Sequence, residues 1–191
     1  MSSRFFTILL LINYTLSFFF QPQSEPFLLV VYDPNYEENR ETSLSNSEIQ
    51  KIYQRDTLIF ITDDCEVDNK TTNSFIEGSI LINGSFRLNK LMDDSMKFIR
   101  VDSKTNRLKA CPRGNLSTSF TIRKDELHYK DSNVWSICFD DSLKISFIYF
   151  GTLKRNKKYC SLQEDQEIKL RVIGKYDNFG TVPDYPFMKI Q

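Results

Sequence analysis

The 191-residue sequence predicts an all-β fold, a barrel or a sandwich of antiparallel strands. Short runs in which polar and apolar residues alternate recur at roughly 8 to 12 residue spacing. Clusters of turn-forming residues separate these runs. The 16 Phe and 9 Tyr against 6 Gly form an aromatic excess of the kind strands favour. The length suits one domain with its own core.

Residues 1 to 24 read as a secretory leader: Arg4 precedes an apolar run from Phe5 to Ile12, which Asn13 ends. The rival reading is a retained membrane anchor. Against it, the apolar region ends at Phe20, short of the ~20 residues that span a bilayer, and contains Asn13 and Thr15. No A-x-A site marks the cut; cleavage after Ser17 or near Ser24 fits equally. Without the leader the chain keeps 24 basic and 25 acidic residues. Such a balance gives no uniform field to draw in nucleic acid or an anionic bilayer, so neither is an expected partner.

The domain is expected over residues 25 to 174. "PFLLVVYDP" reads as a first buried strand closed by Asp33-Pro34, and the polar stretch after it as a surface loop. Residues 44 to 55 fit either a short helix with Ser47 as N-cap or an edge strand. "DTLIFIT" is a strand. "SILINGSFRL" is a hairpin whose Asn83-Gly84 signals a type I′ turn, since both central residues of that turn need positive φ. "MKFIRV" and "RLKAC" flank the turn "DSKTN"; "SFTIR", "LHY" and "VWSICF" are separated by "KDE" and "KDSN". "LKISFIYFG" is continuously apolar, as a central strand requires, and "EIKLRVIG" alternates again. Residues 175 to 191 carry two prolines and no terminal apolar run, and suit an irregular strap or tail.

An exported chain gives meaning to its cysteines. Cys65, Cys111, Cys138 and Cys160 are even in number and lack C-x-x-C spacing, so two disulfides are expected. Of the three connectivities, Cys138 with Cys160 and Cys65 with Cys111 is the chosen one, because the first pair brackets one apparent hairpin. Asn69, Asn83 and Asn115 head N-x-S/T sequons and become candidate glycan acceptors; Asn13 would leave with the leader.

Candidate chemistry is sparse. Lys124-Asp125-Glu126-Leu127 matches a retrieval tetrapeptide that is read only at a free carboxyl end, so it is expected to be a polar turn. His128 stands alone on a short strand without a nucleophile motif, as an exposed residue rather than a base. The Asp pairs at 63 and 64, 93 and 94, and 140 and 141 sit in turn contexts where the side chain caps its own backbone. Neither an enzyme nor a cofactor or metal site is expected. Trp135 is a possible glycan contact with Tyr129, Tyr149 and Phe150, set against plain core packing beside Cys138. Lys154-Arg155 reads as a basic hairpin tip.

The order of pieces "PFLLVVYDP", "SFTI" before "ELHY", "VWSICF", "SFIYFG", and Cys160 ahead of "IKLRVI" resembles the secreted and cell-wall mannoprotein domains of yeasts. It is similar to the carboxyl-terminal domain of the PIR proteins (proteins with internal repeats) and to related small wall proteins. The resemblance implies a compact β-trefoil-like barrel in a fungal extracellular glycoprotein that organises the wall, with wall polysaccharide, β-glucan above all, as partner. The glutamine-containing repeats of that family and a Ser/Thr-rich stalk are missing, which implies a soluble or loosely wall-associated protein. The alternative is a secreted carbohydrate-binding module for β-glucan or chitin. Oligomeric state leaves no trace in the sequence.

Overall fold

A computed structural model describes residues 23–32, 50–61, 74–89, 96–160, 166–175 and 182–185. Residues 1–22 of the expected leader, Ser47, Cys65, Asn69 and the first two Asp pairs lie outside them, while Gln23 and Ser24 are described, with Ser24 hydrogen-bonded to Ile80. The strands are β1 (Phe27–Tyr32), β2 (Gln50–Lys51), β3 (Tyr53–Arg55), β4 (Leu58–Ile61), β5 (Ser74–Phe75), β6 (Glu77–Ile80) and β7 (Phe86–Leu88). There follow β8 (Phe98–Val101), β9 (Leu108–Cys111), β10 (Phe120–Arg123), β11 (Glu126–Tyr129), β12 (Trp135–Asp140), β13 (Ile145–Phe150) and β14 (Gln166–Gly174).

Nine strands close an antiparallel barrel in the ring order β14, β12, β13, β4, β9, β8, β7, β6, β1. The seam is β1 against β14, paired from Phe27 with Gly174 to Tyr32 with Lys169. Closure through that seam makes the fold a barrel rather than a sandwich, and it leaves the ring without a free edge. Strands β2, β3 and β5 attach outside the ring, so residues 50 to 55 take the edge-strand option and not the helical one.

Side-chain alternation sorts the apolar residues onto two faces. Inward residues, among them Phe27, Ile80, Phe86, Ile99, Leu108, Ile148 and Leu170, form the main core. The β10–β11 hairpin folds across one end of the barrel. There Phe120 N–H donates to Gly84 O, Val172 N–H donates to Asp125 O, and the inward Phe120, Ile122, Leu127 and Tyr129 join the core. A run of touching rings, Phe27, Phe86, Phe120, Tyr129, Phe150 and Trp135, with centroids 4.9–6.0 Å apart, locks hairpin to barrel. Such pairs add about 0.5–1.5 kcal/mol each beyond their burial, which gives the aromatic excess its purpose. The segment 182–185 then straps the hairpin: Ile122 and Tyr185 exchange backbone hydrogen bonds, and Asp125 and Asp184 carboxylates accept from Val182 and Lys124 N–H.

Two turns differ from expectation. The Asn83-Gly84 hairpin forms, but as a three-residue loop: Gly84 N–H donates to Leu81 O, Leu81 N–H donates to Ser85 O, and only Gly84 has positive φ, +75°. That is a type I turn followed by a left-handed residue, the next commonest hairpin solution. Glycine is required there also by space, since a Cβ would lie 2.7 Å from Ser119 N. Paired positive φ occurs instead at Lys124 and Asp125 (52° and 59°) and at Lys130 and Asp131 (50° and 62°).

The second difference is the expected basic hairpin tip after β13. Residues Leu153–Asn156 form a short helix, α1, followed by a 3-10 turn over Lys157–Tyr159. The Thr152 side chain caps α1 by accepting from Arg155 N–H. Asn156, fully buried, pulls the connector onto the barrel: its Nδ2 donates to Ser136 Oγ at 2.9 Å and to Phe150 O at 3.2 Å. A buried amide that satisfies strand carbonyls offsets the loss of sheet pairing.

Candidate functional site

The outward residues of β12 and β13 do not all meet water. Cys138, Ile145, Phe147 and Tyr149 form a second apolar cluster with Phe60, on which Tyr53, Leu58, Tyr159 and Cys160 pack. The 152–160 connector crosses this outer wall and is pinned by the Cys138–Cys160 disulfide, with Cα atoms 4.7 Å apart. Between connector and wall lies an open groove of about 400 Å³.

Four segments build it: Arg107 at the start of β9, Cys138 to Asp141 where β12 turns, Phe147 and Tyr149 on β13, and Lys158 to Cys160 on the connector. Tyr149 and Tyr159 stack with centroids 5.5 Å apart and planes 11° from parallel. The Tyr159 hydroxyl donates to Lys104 O at 2.9 Å, so the ring is held at both ends. Arg107 lies over the Phe147 ring, its guanidinium carbon 3.4 Å from the centroid. Lys158 sits 4.6 Å from the centre of the Tyr159 ring.

Electrostatics are balanced. Burial lowers the Arg107 pKa and raises that of the Tyr149 hydroxyl, while the charge of Arg107 opposes the second shift. Asp140 is held below its usual range first by the Ser142 hydroxyl, then by the N–H groups of Leu143 and Ser142, with the Arg107 charge adding to them. All three bonds fall on Asp140 Oδ1. Arg107 Nε is buried without a hydrogen-bond partner. Asp141 pairs with Lys144. Aromatic floor, two cations and two carboxylates together can hold a small polar ligand; they do not assemble a nucleophile with a base.

The sequence-derived candidates scatter. Cys138–Cys160 forms as expected. Cys111 does not form its expected bridge: its thiol is free and buried, pushed up to about 11 by desolvation, on an outward β9 position opposite Phe98. Asn83 and Asn115 are exposed on turns; Asn83 Oδ1 accepts from Ser85 N and Oγ. Trp135 is fully buried, its indole N–H donating to Leu127 O at 3.1 Å, so it cannot touch a glycan. Tyr129 and Phe150 share that core, and only Tyr149 of the aromatic set reaches the groove.

His128 is not exposed but has a side chain 14% accessible on the outer face of β11, 3.9 Å from Glu126. Glu126 also accepts from Asn133 and, at 2.9 Å, from Lys169. Burial lowers the His128 pKa, with Arg123 and Lys169 opposing protonation and Glu126 and Asp131 favouring it. Its Nδ1 and Thr121 Oγ1, paired across the hairpin, have no hydrogen-bond partner. Among the described residues no group of three His, Cys, Asp or Glu could hold a metal, and no helix is long and apolar enough to cross a membrane. Arg107, Lys158 and Tyr159 escaped sequence reasoning, because residues far apart in the chain meet here only through strand register and the disulfide.

Comparison with protein-family models, curated proteins and solved structures finds no match.

Proposed function

We propose that this chain is an exported, N-glycosylated, non-enzymatic protein of the fungal cell wall, where it contributes to wall organisation with β-glucan as its partner. The observation that carries the reading is the Cys138–Cys160 bridge built into the barrel wall, because structural disulfides persist outside the reducing cytosol. Exposed sequon asparagines at 83 and 115, the leader-like amino end and the yeast-wall resemblance support it. Fractionation of expressing cells into medium, detergent-extractable and wall-bound pools tests it. The protein is expected in the first and third, faster-migrating after endoglycosidase treatment and shifted by reductant on gels. Recovery as a fully reduced cytosolic protein overturns the reading.

The second reading, a secreted carbohydrate-binding module, is favoured by one observation, the charge-balanced aromatic groove beside that disulfide.

A further inference from the structure

We infer that the groove between β13 and the 152–160 connector is a binding site for a neutral, hydroxyl-rich glycan. Asp140 and Tyr159 are its specificity-determining residues. This rests on the reading of the protein as one that meets polysaccharide outside the cell, and it names where and by which atoms.

Charge selects the ligand class. Arg107 and Lys158 face Asp140 and Asp141 around one concavity. Asp141 is already paired with Lys144 and Asp140 faces Arg107, so the rim offers donors and an acceptor side by side rather than a field of one sign. Arg107 and Asp140 share the groove without a hydrogen bond or ion pair between them. Asp140 keeps acceptor capacity in reserve through Oδ2, since its turn uses only Oδ1, and the exposed Lys158 ammonium supplies donors on the same groove. A hydroxyl group both donates and accepts. Neighbouring hydroxyls on one sugar ring therefore satisfy a donor and an acceptor set side by side, which neither a hydrocarbon nor a simple ion can do.

The apolar component agrees. Tyr159 is half-buried, fixed by its stack on Tyr149 and its hydroxyl bond to Lys104 O. A rigid ring beside polar groups is what the C–H face of a pyranose packs on, and here the sugar takes the place of the exposed Lys158 side chain that lies over the ring.

Two other polymers fit worse. An extended peptide gains affinity by adding a strand to a free edge, but β13 is paired on both sides, with β12 and β4, and offers none. Nucleic acid needs an extended basic surface, and this groove sets the Asp140 and Asp141 carboxylates among its cations.

The test is isothermal titration of the oxidised full-length protein with laminarihexaose and with chitohexaose. Asp140→Asn keeps the Oδ1 acceptor that holds the turn and replaces the second acceptor by a donor; Tyr159→Leu keeps apolar cover over Tyr149 and removes the ring. Wild-type protein is expected to bind at least one oligosaccharide, and each variant to bind it about tenfold or more weakly with an unchanged β circular-dichroism spectrum. Thr121→Val, on the hairpin, is expected to bind as wild type does. Absence of binding to both probes, or wild-type binding by both groove variants, overturns the assignment. Wall association without oligosaccharide binding refutes the groove and leaves the proposed function standing; oligosaccharide binding by a protein found reduced in the cytosol does the reverse.

Discussion

Replacing both bridge cysteines, Cys138→Ala with Cys160→Ala, releases the connector from the barrel and opens a loop whose ends are 22 residues apart. The loop-closure relation for that length gives about 11 cal/mol/K of restored chain entropy, or about 3.4 kcal/mol at 25 °C. Cys138 is also packed among Phe60, Phe147 and Tyr149, so its truncation adds up to ~1 kcal/mol for lost contacts. The expected loss is about 3.5 to 4.5 kcal/mol, a large share of the 5–15 kcal/mol typical of a domain. The single tryptophan, buried in the core by β12, reports global unfolding by fluorescence. With a urea slope of about 2 kcal/mol/M the midpoint should fall by about 1.7–2.2 M, and wild-type protein in reductant should approach the same value. A double variant with the midpoint of the oxidised protein would falsify the view that the bridge holds the connector to the wall.

Asn156→Ala strips a hydrogen bond from the buried Ser136 hydroxyl and from Phe150 O, and should cost about 2–3 kcal/mol in urea unfolding; a loss near zero would mean the connector is held by the disulfide alone. His128 has a folded pKa below its ordinary 6.5, so the unfolded state binds its proton more readily. Its contribution is therefore complete above that value and is lost as pH falls through it toward the folded pKa. Unfolding midpoints should begin to drop as pH falls below about 7.5, and His128→Gln should flatten that part of the profile. The Cys111 thiol, buried and with its pKa pushed up to about 11, should resist alkylation in native protein at mildly alkaline pH and react promptly in denaturant. Fast native labelling at Cys111, read by peptide mass, contradicts its burial.

Much of the barrel was legible because alternation survives wherever one face of a strand is wet. Runs such as "SFTIR" and "EIKLRVIG" put every second residue into the core, and their boundaries follow from that pattern. Turn geometry was legible less evenly. Asn83-Gly84 announced a hairpin but not its loop length, which the close approach of Ser119 to Gly84 decides. The two Lys-Asp turns carry positive φ without a glycine, and at Asp125 the compensation comes from the strap, through Val182. The connector was misread because its shape follows from Asn156 reaching strand groups 20 and 6 residues away, an interaction with no local signature. For the groove, sequence reasoning chose the aromatic most often found stacked on sugars. Trp135 points inward from β12 into the core, whereas Tyr149 points outward from β13 into the groove.

The ring is sealed by its first strand meeting its last, with Phe27 beside Gly174. A chain made from its amino end supplies β14 after every other stave, so the cylinder cannot lock until that strand has emerged. Until then β1 offers an unpaired flank to any passing strand. Slow, late maturation and a need for protection from sticky encounters are thus written into the connectivity itself.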